Sequence, residues 1–152
     1  MFIKYEKFIS DIFIHYSIGE KSDFDYCPAR KLNFIDEVHL NKMLQKQNTN
    51  FINHFEVVQN LSEHIFIDNP FEILTNAANY SSEVKKMKII RDYIAHESSH
   101  AKKKFENNVT NNVVLKPHEF LNRTNRRLSI SNYSHYLKIM EETSKYIAKG
   151  PL

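Results

Sequence analysis

One cysteine, Cys27, two glycines and four prolines stand among 152 residues, and tryptophan is missing altogether. A lone cysteine rules out an intrachain disulfide and suits a reducing compartment, so the expected location is cytoplasmic. So few glycines and prolines leave little material for the turns of a many-stranded β architecture, and helices are favoured. No apolar run approaches the roughly 20 residues that a membrane span needs. Within Met1–Ile18 the apolar residues are interrupted by Lys4, Glu6, Lys7 and Asp11, unlike a secretion signal. What the chain does have is apolar residues (41%), with 11 Phe and eight Tyr, enough for one hydrophobic core. The length favours a single domain over 1–152, and the last apolar helix running almost to the C-terminus is also what a piece of a longer protein shows. A net charge of +3 permits a polyanionic partner, and the plain alternative is that the Lys-, Asn- and Ile-rich composition of an AT-rich coding bias accounts for the charge by itself.

Helical spacing of Tyr5, Phe8, Ile9, Ile12, Phe13 and Tyr16 predicts a first helix over Ile3–Ile18, ended by Gly19. Residues 19–33 read as a loop. A second helix is expected over Phe34–Gln47 and a third over Phe51–Phe66, with Phe51, Ile52, Phe55, Val58, Leu61 and Ile65 forming its stripe. Asp68-Asn69-Pro70 signals a stop and the start of a short helix to Asn79. Ser81 or Ser82 is the expected cap of a long helix over Glu83–Glu106. Pro117 can open a short helical turn through Leu121, and the last helix is expected over Ser131–Ala148. The sum is an all-α helical bundle.

The long helix concentrates the chemistry. Val84, Met87, Ile90, Ile94, Ala101 and Phe105 fall on one side, as a core stripe does. Asp92, His96 and His100 recur every four residues on another side, with Ile89 and Tyr93 beside them. A face that mixes apolar and titratable residues needs a second contact, either another part of the same chain or, more simply, a partner subunit. RNA carries its own nucleophile, the 2′-OH, so its cleavage needs a base, an acid, and positive charge where the phosphorane forms. Histidine is the usual acid–base side chain, which fits His96, and a guanidinium such as Arg91 holds two phosphate oxygens at once. On one regular helix these two side chains point about 140° apart. Two copies related by a two-fold axis would bring both kinds of group to one seam. The plain alternatives are a salt bridge from Arg91 to Asp92 or Glu97, a packing role for His96, and a structural contact for Asp92.

Arg91-Asp92-Tyr93-Ile94-Ala95-His96 resembles the R-x(4–6)-H motif of the HEPN superfamily, ribonucleases of bacterial toxin–antitoxin and antiviral systems. The position after the arginine is usually polar, most often Asn; here it is Asp92. The similarity spans roughly residues 50–149 and most resembles variants linked to RNA-repair genes. The resemblance implies a HEPN-like bundle of about five to six helices. It also implies metal-independent RNA cleavage at a composite homodimer site built from Arg91, His96 and Asp92, without a cofactor. A cognate antitoxin, often nucleotidyltransferase-like, is the partner it implies. A non-catalytic RNA- or nucleotide-binding or scaffolding dimer is the second expectation.

His96-Glu97-Ser98-Ser99-His100 also fits H-E-x-x-H, in which two histidines one turn apart bind zinc; Glu119 or His118 is then a candidate third ligand. Against it stand the absence of convincing strands upstream and the cationic continuation Lys102-Lys103-Lys104. Those lysines, with His100 and with Arg123, Arg126 and Arg127, are candidate RNA contacts if they flank the seam, or a pair of solvated charge runs if they do not.

Overall fold

The computed structural model describes residues 1–45 and 53–150. Two thirds of the chain is helical, and among the described residues there are eight helices and one two-stranded sheet. Apart from its first two residues the chain divides into two compact units, Ile3–Ala77 with Thr143–Leu152, and Ala78–Glu142.

The first unit begins with α1 (Phe2–Ile18), whose Tyr5, Ile9, Ile12, Phe13 and Tyr16 are buried at helical spacing. Gly19 ends it in the left-handed region (φ 90°) and donates its N–H to Tyr16, while Glu20 donates to His15 at 2.9 Å. The left-handed φ favours glycine there, and a Cβ would also displace the Arg30 guanidinium, which donates to the Ser17 carbonyl. α2 (Glu37–Leu44) starts where Asp36 accepts the His39 N–H at 2.7 Å. That cap sets the helix start three residues after the expected Phe34, which is buried in the preceding segment. α3 (His54–Ile65) is capped by Asn53 and buries Phe55, Val58 and Ile65. α2 ends at Leu44, with Gln45 extended, short of the expected end at Gln47; the expected contributions of Phe51 and Ile52 lie outside the described residues. After α3, Phe66 pairs with Arg30 in a single β-bridge. The expected helix after Pro70 is one turn, α4 (Glu72–Thr75).

Aromatic rings fill this unit. Phe13 lies edge-on to Phe66 and Phe71, with centroids 6.0 and 5.8 Å away. The closing segment enters through two tyrosine hydroxyls: Tyr16 donates to the Ile147 carbonyl at 2.9 Å, and Tyr5 shares a 2.8 Å hydrogen bond with Thr143. Burial pushes the Tyr5 phenol up to about 12.

The second unit holds α5 (Ala78–His96), α6 (Ser99–Asn108), α7 (Pro117–Asn122), a hairpin of β1 (Thr124–Asn125) with β2 (Ile130–Ser131), and the first part of α8 (Asn132–Lys149). β1 and β2 are antiparallel, with Thr124 opposite Ser131. The hairpin departs from a purely helical expectation; strands of two residues are too short to show alternation. The expected long helix over Glu83–Glu106 is two helices. The first also starts five residues early, so Ser81 is a buried residue inside it rather than its cap. Val84, Met87, Ile90, Ala101, Phe105 and Tyr136 form the core of this unit.

His54 gives the first unit a pH dependence. Its ring sits 2.9 Å from Asn41 Oδ1, and burial holds its pKa below the usual value of 6.5. A depressed histidine contributes stability that is present above the unfolded-state pKa and lost as pH falls through the folded-state value. Thermal unfolding between pH 7.5 and 5 is therefore expected to show a smaller fall in Tm for His54→Gln than for the wild type. Equal slopes would contradict this.

Candidate functional site

α5 ends at His96, and the reason is local. Glu97 adopts a left-handed conformation (φ 44°), with its N–H still bonded to the Tyr93 carbonyl at 3.0 Å. Ser98 is extended and its hydroxyl accepts the Ala101 N–H at 3.1 Å, starting α6. The two helices fold back on each other, and the Tyr93 and Phe105 rings meet at 5.4 Å. On an unbroken helix twelve residues span roughly 18 Å, so this contact requires the reversal. A non-glycine residue in the left-handed region costs about 1–2 kcal/mol. Burying Phe105 completely returns about 1.5–3 kcal/mol and the Ser98 cap about 1 kcal/mol, so the turn wins.

The reversal sorts the expected site residues. Arg91 and Asp92 stay together: Nη1 lies 3.0 Å from Oδ1, with the side chains 27% and 30% exposed. The long guanidinium arm reaches a carboxylate that i,i+1 geometry does not otherwise bring to face it. Asp92 therefore engages Arg91 rather than His96. His96 stands exposed at the helix end, and its ring has no hydrogen-bond or ion-pair partner among the described residues. Ile94 does not face the core as its place in the stripe predicts; it is 56% exposed beside the exposed Ala95. Tyr93, expected beside the partner-facing line, rests instead on Phe105 of its own chain.

His100 lies in the first turn of α6, not one turn above His96 on the same helix. The H-E-x-x-H spacing is thus broken at its Glu, which is the left-handed residue. Glu119 accepts the Lys116 N–H at 2.8 Å and closes the N-terminus of α7, so the expected third ligand is engaged elsewhere. No group of three His, Cys, Asp or Glu side chains suited to a metal occurs among the described residues.

Of the cationic residues, Lys102 reaches Glu106 at 3.8 Å, and Lys103 and Lys104 are exposed on α6. Arg123 follows α7, and Arg126 and Arg127 occupy the hairpin loop. Sequence reasoning missed the cleft that Arg123 and Arg126 line, of about 630 Å³, between the 109–115 segment and the hairpin. The available signal was the density of short polar residues among its walls, Thr110, Asn111, Thr124 and Asn125. Tyr136 is a core residue, and burial raises its phenol pKa strongly.

No known family, curated protein or solved structure matches this chain.

The break at Glu97 has a signed test. Replacing Glu97 by Gly relieves a left-handed residue, and the expected gain is about 0.5–1 kcal/mol after the entropy cost of glycine. In a continuous helix the same change costs about 1 kcal/mol. Thermal unfolding of Glu97→Gly is expected to show a higher Tm than wild type; a lower one would mean that α5 and α6 are one helix.

Proposed function

We propose that this chain is a HEPN-type, metal-independent endoribonuclease whose site is completed by a second copy of itself. The observation that carries the reading is the end of α5. His96 is exposed and unpartnered there, two residues after the exposed apolar Ile94 and about one turn beyond an Arg91 that Asp92 holds in place. A free imidazole suits proton transfer, and a positioned guanidinium suits a developing phosphorane charge. Arg91 and His96 diverge by about 140° on one helix, so a single α5 does not aim both at one phosphate. Two copies packed about a two-fold axis at their exposed α5 ends would bring His96 of each copy toward Arg91 of the other.

The chemistry follows from these roles. One histidine accepts the 2′-OH proton as the oxygen attacks the adjacent phosphorus. The P–O5′ bond breaks as the leaving oxygen takes a proton from the second histidine, or more slowly from water where only one histidine is present, giving a 2′,3′-cyclic phosphate and a 5′-OH. Arg91 stabilises the charge on the non-bridging oxygens, and Asp92 is its positioning residue. The biological setting is toxin–antitoxin or antiviral defence in the cytoplasm, with an antitoxin protein as the restraining partner. It rests on the sequence resemblance alone. No described helix is long and apolar enough to cross a membrane.

His96→Ala and Arg91→Ala are each expected to lower the rate of RNA cleavage by about 10²–10⁴-fold. Mixing the two inactive variants is expected to restore part of the activity, because mixed dimers carry one intact pair across the seam. Full activity in either single variant would overturn the assignment of that residue. A mixture as inactive as its components would overturn the composite site. Intact binding of RNA with no cleavage by wild type would leave the non-catalytic dimer.

A further inference from the structure

We infer that the cleft between residues 109–115 and the hairpin is a nucleotide subsite. It takes the phosphate and base of one nucleotide, carried either free or within single-stranded RNA. The inference deepens the ribonuclease reading, and rests on it for the RNA source, but the cleft makes its own case.

Charge is the first argument. Arg123 and Arg126 line the cleft and no carboxylate does. Neither guanidinium has an ion-pair or hydrogen-bond partner among the described residues, whereas Arg30 and Arg91 both do. Two unpaired forks beside a concave surface fit a phosphate, which accepts paired N–H donors. Arg123 is also held in place at its backbone: its carbonyl accepts the Asn132 N–H at 2.9 Å and its own N–H donates to Glu119.

The rest of the lining fits a base. Phe120, half-buried, supplies an apolar wall. Asn125 and Asn132 supply the edge chemistry, since each amide is tied at one end only. Asn125 Oδ1 accepts the Arg127 N–H at 3.1 Å, leaving its NH₂ as a donor. Asn132 Nδ2 donates to the Phe120 carbonyl at 2.8 Å, leaving its oxygen as an acceptor. A donor and an acceptor beside an aromatic wall are the groups that single-stranded recognition uses. At about 630 Å³ the cleft lies within the ordinary size range of small-molecule sites.

The cleft is also close to the motif helix within the same unit. Phe120 meets Phe105 edge-on at 5.9 Å, and Phe105 meets Tyr93 at 5.4 Å. Two ring contacts therefore separate the cleft wall from a residue between Arg91 and His96.

Binding of a labelled single-stranded oligoribonucleotide, and its competition by AMP and UMP, tests the inference in full-length protein. All chains carry His96→Ala so that cleavage does not consume the probe. Arg123→Gln/Arg126→Gln is expected to weaken binding at least about 10-fold. Lys42→Gln/Lys85→Gln, which removes the same charge elsewhere, is expected to change it less than about 3-fold. Displacement by AMP or UMP assigns the cleft to free nucleotides as well; without displacement the site belongs to the strand. Equal weakening in the two double variants, or no binding of strand or nucleotide by the parent, overturns the subsite. Cleavage is read separately with His96 intact, so loss of the ribonuclease reading with binding preserved leaves the subsite standing.

Discussion

Tyr93 and Phe105 are far apart along the chain and 5.4 Å apart in space, and the second unit depends on that contact. It requires the backbone to reverse between them, and the reversal falls at Glu97 and Ser98. The local cost is one left-handed glutamate; the return is a buried phenylalanine, a serine cap and an aromatic pair worth about 0.5–1.5 kcal/mol more. The same contact continues through Phe120 to Tyr136, so one line of rings carries the core from α5 to α8.

The reversal also decides which chemistry the motif can perform. A continuous helix would align His96 and His100 as a metal-binding pair. The break places them on separate helices and turns His96 into the last residue of an exposed helix end. Arg91 and Asp92, one turn earlier, remain in regular helix and remain paired. The result is a paired guanidinium and a free imidazole that diverge around one axis; on the proposed ribonuclease reading they are half of an acid–base site. Completion by a second copy, as proposed, would answer the divergence and would cover the exposed Ile94.

Much of this was legible in the residues. The periodic apolar positions of α1, the stop at Gly19, the start of α7 at Pro117 and the long α8 each follow from a local signal that the tertiary structure does not override. The Arg91–Asp92 pair was legible only as one of two plain salt-bridge alternatives for the arginine, beside Glu97. The turn at Glu97 was not. Ser98 is a good cap, but it lies inside a stretch whose alanines, lysines and spaced apolar residues favour uninterrupted helix, and glutamate carries no left-handed signature. Ile94 was misplaced for the same reason: angular periodicity marks a stripe but not where a helix that folds back stops covering it. The cleft was hidden because its walls come from segments that meet only in space.

The account turns on two α5 ends meeting through Ile94. Sedimentation of the wild type and of Ile94→Arg, with helical content checked by circular dichroism, tests this most directly. The account predicts a wild-type dimer and a folded Ile94→Arg monomer. A wild type that stays monomeric at every concentration, or an arginine variant that dimerises as strongly as its parent, would contradict it.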